Sequence, residues 1–95
     1  MSACRIECYT HSDAATPNKG GAMIRITAQT DFATRGDAFQ AFARRAARMA
    51  YAAQSESWAD VAEAFPDLEA DRAALAASLR ETVEIDRIVI LTAAS

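Results

Sequence analysis

The chain has 95 residues, of which 52% are apolar and 24% are charged, a composition typical of one globular domain with one hydrophobic core. Its formal net charge of −3 offers no basic surface for DNA or RNA, so we expect a protein partner and no nucleic acid. The sequence has no run of 18 apolar residues and no basic-then-apolar leader, which predicts a cytoplasmic protein without membrane contact.

The first predicted strand extends from Cys4 to Thr10, where side-chain character alternates. One face of this strand carries Cys4, Ile6 and Cys8, and the other carries Arg5, Glu7 and Tyr9. At a rise of about 3.3 Å per residue the two thiols are about 13 Å apart and cannot form a disulfide within the strand. The sole histidine, His11, has the opposite parity, so we expect buried or half-buried free cysteines and no metal.

A hairpin loop of about ten residues is predicted from Ser12 to Gly21, because this segment is rich in residues that favour turns. The second strand is then expected from Ala22 to Thr27. Its alternation places Ile24 and Ile26 towards the core.

The first long helix is predicted to begin near Asp37, after Gly36. Its apolar residues share one face and are Phe39, Phe42, Ala43, Ala46, Met49, Ala50 and Ala53. The other side carries Arg44, Arg45 and Arg48. A phosphate-binding patch is one interpretation of these arginines, but in an acidic chain we favour a solvated helix face that is available to a partner.

Two shorter helices are expected next. Ser57 is the predicted N-cap of a helix that continues through Phe65 and ends at Pro66, which cannot extend a helix. Asp67 is predicted to cap the following helix, which ends near Glu81. Its helically spaced apolar residues are Leu68, Leu75 and Leu79.

The last strand, from Ile85 to Leu91, is apolar on both parities, which predicts a central strand or one covered on both sides. The chain therefore predicts an α+β domain over residues 1–95, with a three-stranded antiparallel sheet, three helices on one face and the order β-β-α-α-α-β. The expected core places Phe39, Phe42, Leu75 and Leu79 against Ile24, Ile26, Ile88 and Ile90.

Helices on one side leave the other side of the sheet uncovered. We expect this side to mediate a two-fold homodimer, because an exposed apolar sheet is a poor free surface. The residues predicted to point outwards there are Tyr9, Met23, Ile85, Val89 and Leu91.

The segment Gln29-Thr30-Asp31-Phe32 lies between the second strand and the long helix, which begins its apolar face with Phe39-Gln40-Ala41-Phe42-Ala43. This pattern resembles the core signature of the translation elongation factor Ts family. Similarity extends to the glycine-led strand Gly20–Ile26 and to Leu79–Leu91, which resembles the closing passage from helix to strand. The chain departs from the family pattern at Ala28, where Cys is usual, at Ala33, where Val is usual, and at Thr34.

The resemblance implies a single core subdomain, without the family's N-terminal domain or second core repeat. It also implies an elongation factor Tu-like GTPase as partner and promotion of GDP release, with Phe32 as an apolar wedge and Asp31 as a charge that disturbs the magnesium and phosphate surroundings. Thr30 and Arg35 complete the expected contact surface, with Thr30 chiefly orienting the turn. Without the resemblance, Phe32 is interpreted as a core aromatic residue and Asp31 as a capping acid.

Enzymatic chemistry is not expected. The chain lacks a glycine-rich phosphate loop and a cluster of metal ligands, so we predict no catalytic residue and no cofactor. A site assembled from Cys8, His11 and a distant aspartate is one arrangement among many. The alternative to an exchange factor is a stand-alone interaction or dimerisation module that has the fold without the exchange activity.

Overall fold

An antiparallel sheet of three strands and a layer of four helices form the part of the chain that the computed structural model describes, residues 3–11 and 20–92. The elements are β1 (Ala3–His11), β2 (Gly20–Ala28), α1 (Asp31–Arg35), α2 (Asp37–Ala53), α3 (Trp58–Ala64), α4 (Pro66–Leu79) and β3 (Glu84–Thr92). This confirms the predicted α+β class, with α1 as one additional short helix. Most of the predicted hairpin loop, residues 12–19, lies outside the described residues, but β1 and β2 pair as that loop requires.

Helix α2 begins at Asp37, as predicted, and packs across β1 and β2. Its buried residues are Phe39, Phe42, Ala43, Ala46, Ala47 and Ala50. The alanines allow a close approach of helix to sheet. Arg44 and Arg48 are exposed, as a solvated face requires, whereas Arg45 is half-buried and pairs with Asp71 of α4.

The short connection between α3 and α4 is set by Pro66, which ends α3 and occupies the first turn of α4. Proline suits this position because its fixed φ is helical and its missing amide is not needed there. The prediction that Asp67 caps α4 is wrong, since Phe65 is the N-cap residue and Asp67 lies within the first turn. Ser57 occupies the predicted N-cap position of α3, although its hydroxyl makes no capping hydrogen bond.

The core lies between the sheet and the helices. Ile24 and Ile26 are fully buried while Met23 and Arg25 are exposed, so the predicted register of β2 is confirmed. The other predicted core residues also lie on this side, with Phe39, Phe42 and Ile88 buried and Leu75, Leu79 and Ile90 packed against them. Val61, Leu68 and Val83 are also fully buried.

Strand β3 is an edge strand, because β2 lies between β1 and β3, and its Leu91 is exposed on the outer side. The prediction of a central strand or one covered on both sides is therefore wrong. From Ile88 to Leu91 the apolar residues of β3 alternate between the core and the outer side, but the ladder is irregular nearer the start of the strand. Arg25 pairs with Arg87 but Ile26 pairs with Ile85, so one residue of β3, Asp86, is skipped. Ile85 therefore packs against the core instead of pointing outwards, and its predicted place on the outer side is wrong.

Strand β1 presents to the helices the face that was predicted to point outwards. Tyr9 lies opposite Ala22 and packs on Tyr51 of α2, with ring centroids 5.7 Å apart, so its predicted outward position is wrong. The physical reason is size, because the tyrosine ring fills the space above Ala22 better than a thiol. Cys4 and Cys8 are consequently exposed, not buried or half-buried as predicted, and both are free.

Across residues 3–11 and 20–92, the structure contains no helix with the length and apolarity to span a bilayer.

Candidate protein-interaction site

The segment Thr30-Asp31-Phe32, here called the TDF motif, forms the start of α1. Thr30 is the N-cap residue, and its hydroxyl oxygen accepts a hydrogen bond from the Ala33 amide at 3.2 Å. The Thr34 hydroxyl donates to the Asp31 carbonyl at 2.9 Å. Asp31 therefore lies in the first turn and is not the cap, so the interpretation of Asp31 as a capping acid is wrong.

Glu81, just after α4, holds the motif in place. One carboxylate oxygen accepts hydrogen bonds from the Gln29 and Thr30 amides, both at 2.9 Å, and the other accepts from the Thr30 hydroxyl at 2.7 Å. In return, the Gln29 side-chain oxygen accepts from the Thr82 amide at 3.1 Å. These bonds join the passage from β2 to α1 with the passage from α4 to β3.

The hydrogen bond from the Thr30 hydroxyl, supported by the Thr30 and Gln29 amides, lowers the pKa of Glu81 below its ordinary value. Glu81 is therefore a carboxylate at neutral pH and acts as an acceptor for all three donors. These hydrogen bonds hold the backbone of the TDF motif in place even though the motif is near the surface.

Phe32 projects from this anchored turn with 87% of its surface exposed. The two residues that follow it, Ala33 and Thr34, are 2% and 3% exposed and anchor α1 to the rest of the fold. The interpretation of Phe32 as a core aromatic residue is therefore wrong. The structure presents a large apolar ring to solvent on a short helix whose neighbouring residues are fixed.

Asp31 and Arg35 lie beside the ring and form an i,i+4 ion pair at 2.7 Å. Their side chains are 65% and 78% exposed, respectively, so water screens the pair and it contributes little stability. A partner can separate these two charges at low cost. All four residues predicted to contact a partner, Thr30, Asp31, Phe32 and Arg35, thus lie together on one exposed turn.

A second surface is the side of the sheet away from the helices, here called the outer face. Ile6, Leu91 and Met23 are 55%, 52% and 37% exposed there, and a depression of about 360 Å³ is lined by Ile6, Met23, Arg25, Arg87 and Val89. Of the residues predicted for self-association, Met23, Val89 and Leu91 lie on this face. Tyr9 and Ile85 lie on the opposite, helix-covered side.

A polar cluster ties the helices to the start of β3. The Trp58 indole donates to Glu69 at 3.1 Å, Arg72 binds both oxygens of Glu69, and Arg72 also donates to the Val83 carbonyl at 2.7 Å. The hydrogen bond between Glu69 and Arg72 lowers the pKa of Glu69 and raises that of Arg72. Because its donors and acceptors satisfy one another, we assign this cluster a structural role.

Sequence reasoning missed the role of Glu81, which it used only to mark the end of a helix. Glu81 lies 51 residues from Thr30, and a single glutamate at a helix end carries no signal for a contact over that separation. The described residues contain no group of three or more His, Cys, Asp or Glu side chains suited to a metal ion. No protein-family model matches this chain, and no curated protein is significantly similar to it.

Proposed function

We propose that this protein binds an elongation factor Tu-like GTPase in the cytoplasm through the TDF motif and promotes the release of GDP. The observation that supports the proposal best is the 87% exposure of Phe32 on a helix anchored by Ala33 and Thr34. The class of partner is taken from the resemblance of the motif and its surroundings to elongation factor Ts. Exposed aromatic anchors are typical of the residues that carry binding energy in protein interfaces.

Exchange needs no bond-making, because a partner that prefers the open form of the GTPase lowers its affinity for nucleotide. Burying a phenylalanine side chain contributes about 1.5–3 kcal/mol, which is roughly a 10- to 150-fold change in an equilibrium constant. If Phe32 enters the GTPase only when its helices part, this free energy favours the open form. Asp31 supplies a carboxylate next to the wedge, where it competes with the phosphate and magnesium contacts of GDP.

The anchoring by Glu81 favours such a role. A wedge on a disordered turn loses conformational freedom when it binds, whereas a preorganised one avoids that cost. Thr30 acts here as a positioning residue, since its hydroxyl and amide are both bonded to Glu81.

The proposal is tested by preloading an elongation factor Tu with fluorescent GDP and following its release into excess unlabelled GDP. We expect the wild-type protein to accelerate release and Phe32→Ala to remove most of the acceleration. Leu91→Ala is the matched control, because it truncates another exposed apolar side chain, 52% exposed, on the outer face of the sheet. Absence of both acceleration and binding at low salt would exclude the proposal.

The outer face supports a second candidate function, a self-association module without exchange activity. Ile6, Met23 and Leu91 expose apolar surface beside the half-buried Val89, and contiguous apolar surface of this kind marks interaction sites. Val89→Asp is expected to dissociate a dimer that packs face to face. A wild-type monomer at high micromolar concentration by light scattering would reject this candidate.

A further inference from the structure

Strand β1 has a charge pattern that is symmetric about Ile6. Arg5 precedes Ile6 and Glu7 follows it, and Cys4 and Cys8 lie one position further out on either side. The strand is nine residues long and contains no proline or glycine, and within residues 3–11 and 20–92 its only neighbour in the sheet is β2. Its other edge therefore offers backbone groups to an added strand.

The edge of β3 is different, because side chains from the helical layer bond to it. The Ile90 amide donates to Glu56 at 2.8 Å, and the Val83 carbonyl, just before the strand, accepts from Arg72 at 2.7 Å. A strand added to β3 would displace these contacts. An added strand is therefore expected to pair with β1 and not with β3.

We propose that two copies of this chain pair antiparallel through β1, with Ile6 of one copy opposite Ile6 of the second copy. Directly opposite residues of an antiparallel pair point to the same side of the sheet, so a two-fold axis must lie at one residue. With the axis at Ile6, Arg5 of each copy lies opposite Glu7 of the other. An axis at Arg5 or at Glu7 would place like charges opposite each other, which destabilises a strand pair.

The exposure of the side chains agrees with this register. Arg5 and Glu7 are 33% and 14% exposed and already form an ion pair at 2.7 Å within one chain. Both charges are therefore partly desolvated before the two copies meet, and in the dimer each gains an opposite charge across the strand pair. Ile6, 55% exposed, gains an isoleucine opposite to it. The resulting six-stranded sheet continues the outer face across both copies, and it does not depend on the proposed role of Phe32.

The register also brings Cys4 of each copy opposite Cys8 of the other. Opposite residues in an antiparallel pair have Cα atoms about 4.5–5.5 Å apart, which lies within the range that a disulfide spans. Within one strand these two cysteines are too far apart to pair. Their positions therefore provide a direct probe of the register.

Brief oxidation with diamide tests the register of the β1 pair, since diamide takes two electrons and two protons from two thiols as one disulfide forms. The wild-type chain is expected to give a covalent dimer on a non-reducing gel. Cys4→Ser and Cys8→Ser should each fail to cross-link alone, and a mixture of the two should give a dimer with one disulfide. Cross-linking of either single variant alone, or none in the mixture, would overturn the register.

Charge reversal tests the same contact without thiols. Arg5→Glu and Glu7→Arg should each raise the dimer dissociation constant roughly tenfold or more in sedimentation, because both cross-strand pairs become like-charged. The double variant should restore dimerisation, and circular dichroism confirms that each variant is folded. Val89→Asp, on the outer face, should leave this dimer intact. Failure of the double variant to recover, or loss of the dimer with Val89→Asp alone, would exclude pairing through β1.

Discussion

The Glu81 carboxylate binds Thr30 through both hydrogen-bond donors of that residue, the hydroxyl at 2.7 Å and the amide at 2.9 Å. This contact connects the end of the helical layer with the turn that carries Phe32. It fixes the backbone of the turn from which a ring that is 87% exposed projects.

Phe32 and Phe39 are expected to respond oppositely to truncation. Phe32→Ala should change the free energy of unfolding by less than about 0.5 kcal/mol, as for an ordinary surface substitution. Phe39, 1% exposed, is a core residue, and Phe39→Ala should lower that free energy by about 3–5 kcal/mol. Urea denaturation measures both. A loss of several kcal/mol in Phe32→Ala would mean that the ring belongs to the core and would remove the main support for the exchange proposal.

The contribution of Glu81 should depend on pH. Because the pKa of Glu81 is lowered in the folded chain, its stabilisation is present above the ordinary value of 4.5 and is lost as pH falls through the lower folded-state pKa. The melting temperature of Glu81→Gln should therefore fall furthest below wild type at neutral pH, and the gap should narrow as pH falls below 4.5 and through the folded-state pKa. Glu63→Gln, an exposed position on α3, is the control. A gap that is constant with pH would contradict the assignment.

Arg72 should stabilise the fold far more than an exposed arginine does. Arg72→Met leaves Glu69 with only its hydrogen bond from Trp58 and removes the side-chain donor to the Val83 carbonyl, and an unsatisfied partly buried acceptor costs about 1–3 kcal/mol. Arg48→Met, on the exposed side of α2, should change stability by less than about 0.5 kcal/mol. Chemical denaturation of the two variants under the same conditions makes the comparison. Equal effects would show that the cluster is only a screened surface contact.

Two glycines should differ in their tolerance of alanine. A Cβ at Gly21 would overlap the Tyr9 carbonyl oxygen in the neighbouring strand, so Gly21→Ala should weaken the pairing of β1 and β2. At Gly36 the nearest atom would be the Ala33 carbonyl oxygen at 3.5 Å, an ordinary contact, and φ is −68°. Gly36→Ala gains about 0.4–1 kcal/mol through the unfolded chain, but it also replaces the N-cap glycine of α2 by a poorer N-cap residue, so the net change should be small. Thermal unfolding checks both, and similar losses at the two sites would contradict the geometry.

Strands and helices whose apolar residues follow a single regular spacing could be predicted from the sequence. In β2 the alternation of Ile24 and Ile26 with Met23 and Arg25 matches a two-residue repeat, so only one face could enter the core. The start of α2 at Asp37 followed from its helically spaced apolar residues in the same way. The resemblance of the TDF motif likewise led to the expectation that Phe32 is exposed.

Local sequence alone determined which of the two faces of β2 and of α2 is buried, because side-chain periodicity acts within a few residues. Only the tertiary structure decided which face of β1 meets the helices, since the face with Tyr9 and the face with Ile6 are both of mixed polarity. The same is true of the skipped Asp86, which turns Ile85 inwards, and of the contact between Glu81 and Thr30. Each of these depends on which distant segments pack together, and that is settled by the fit of volumes and hydrogen-bond partners across the whole domain.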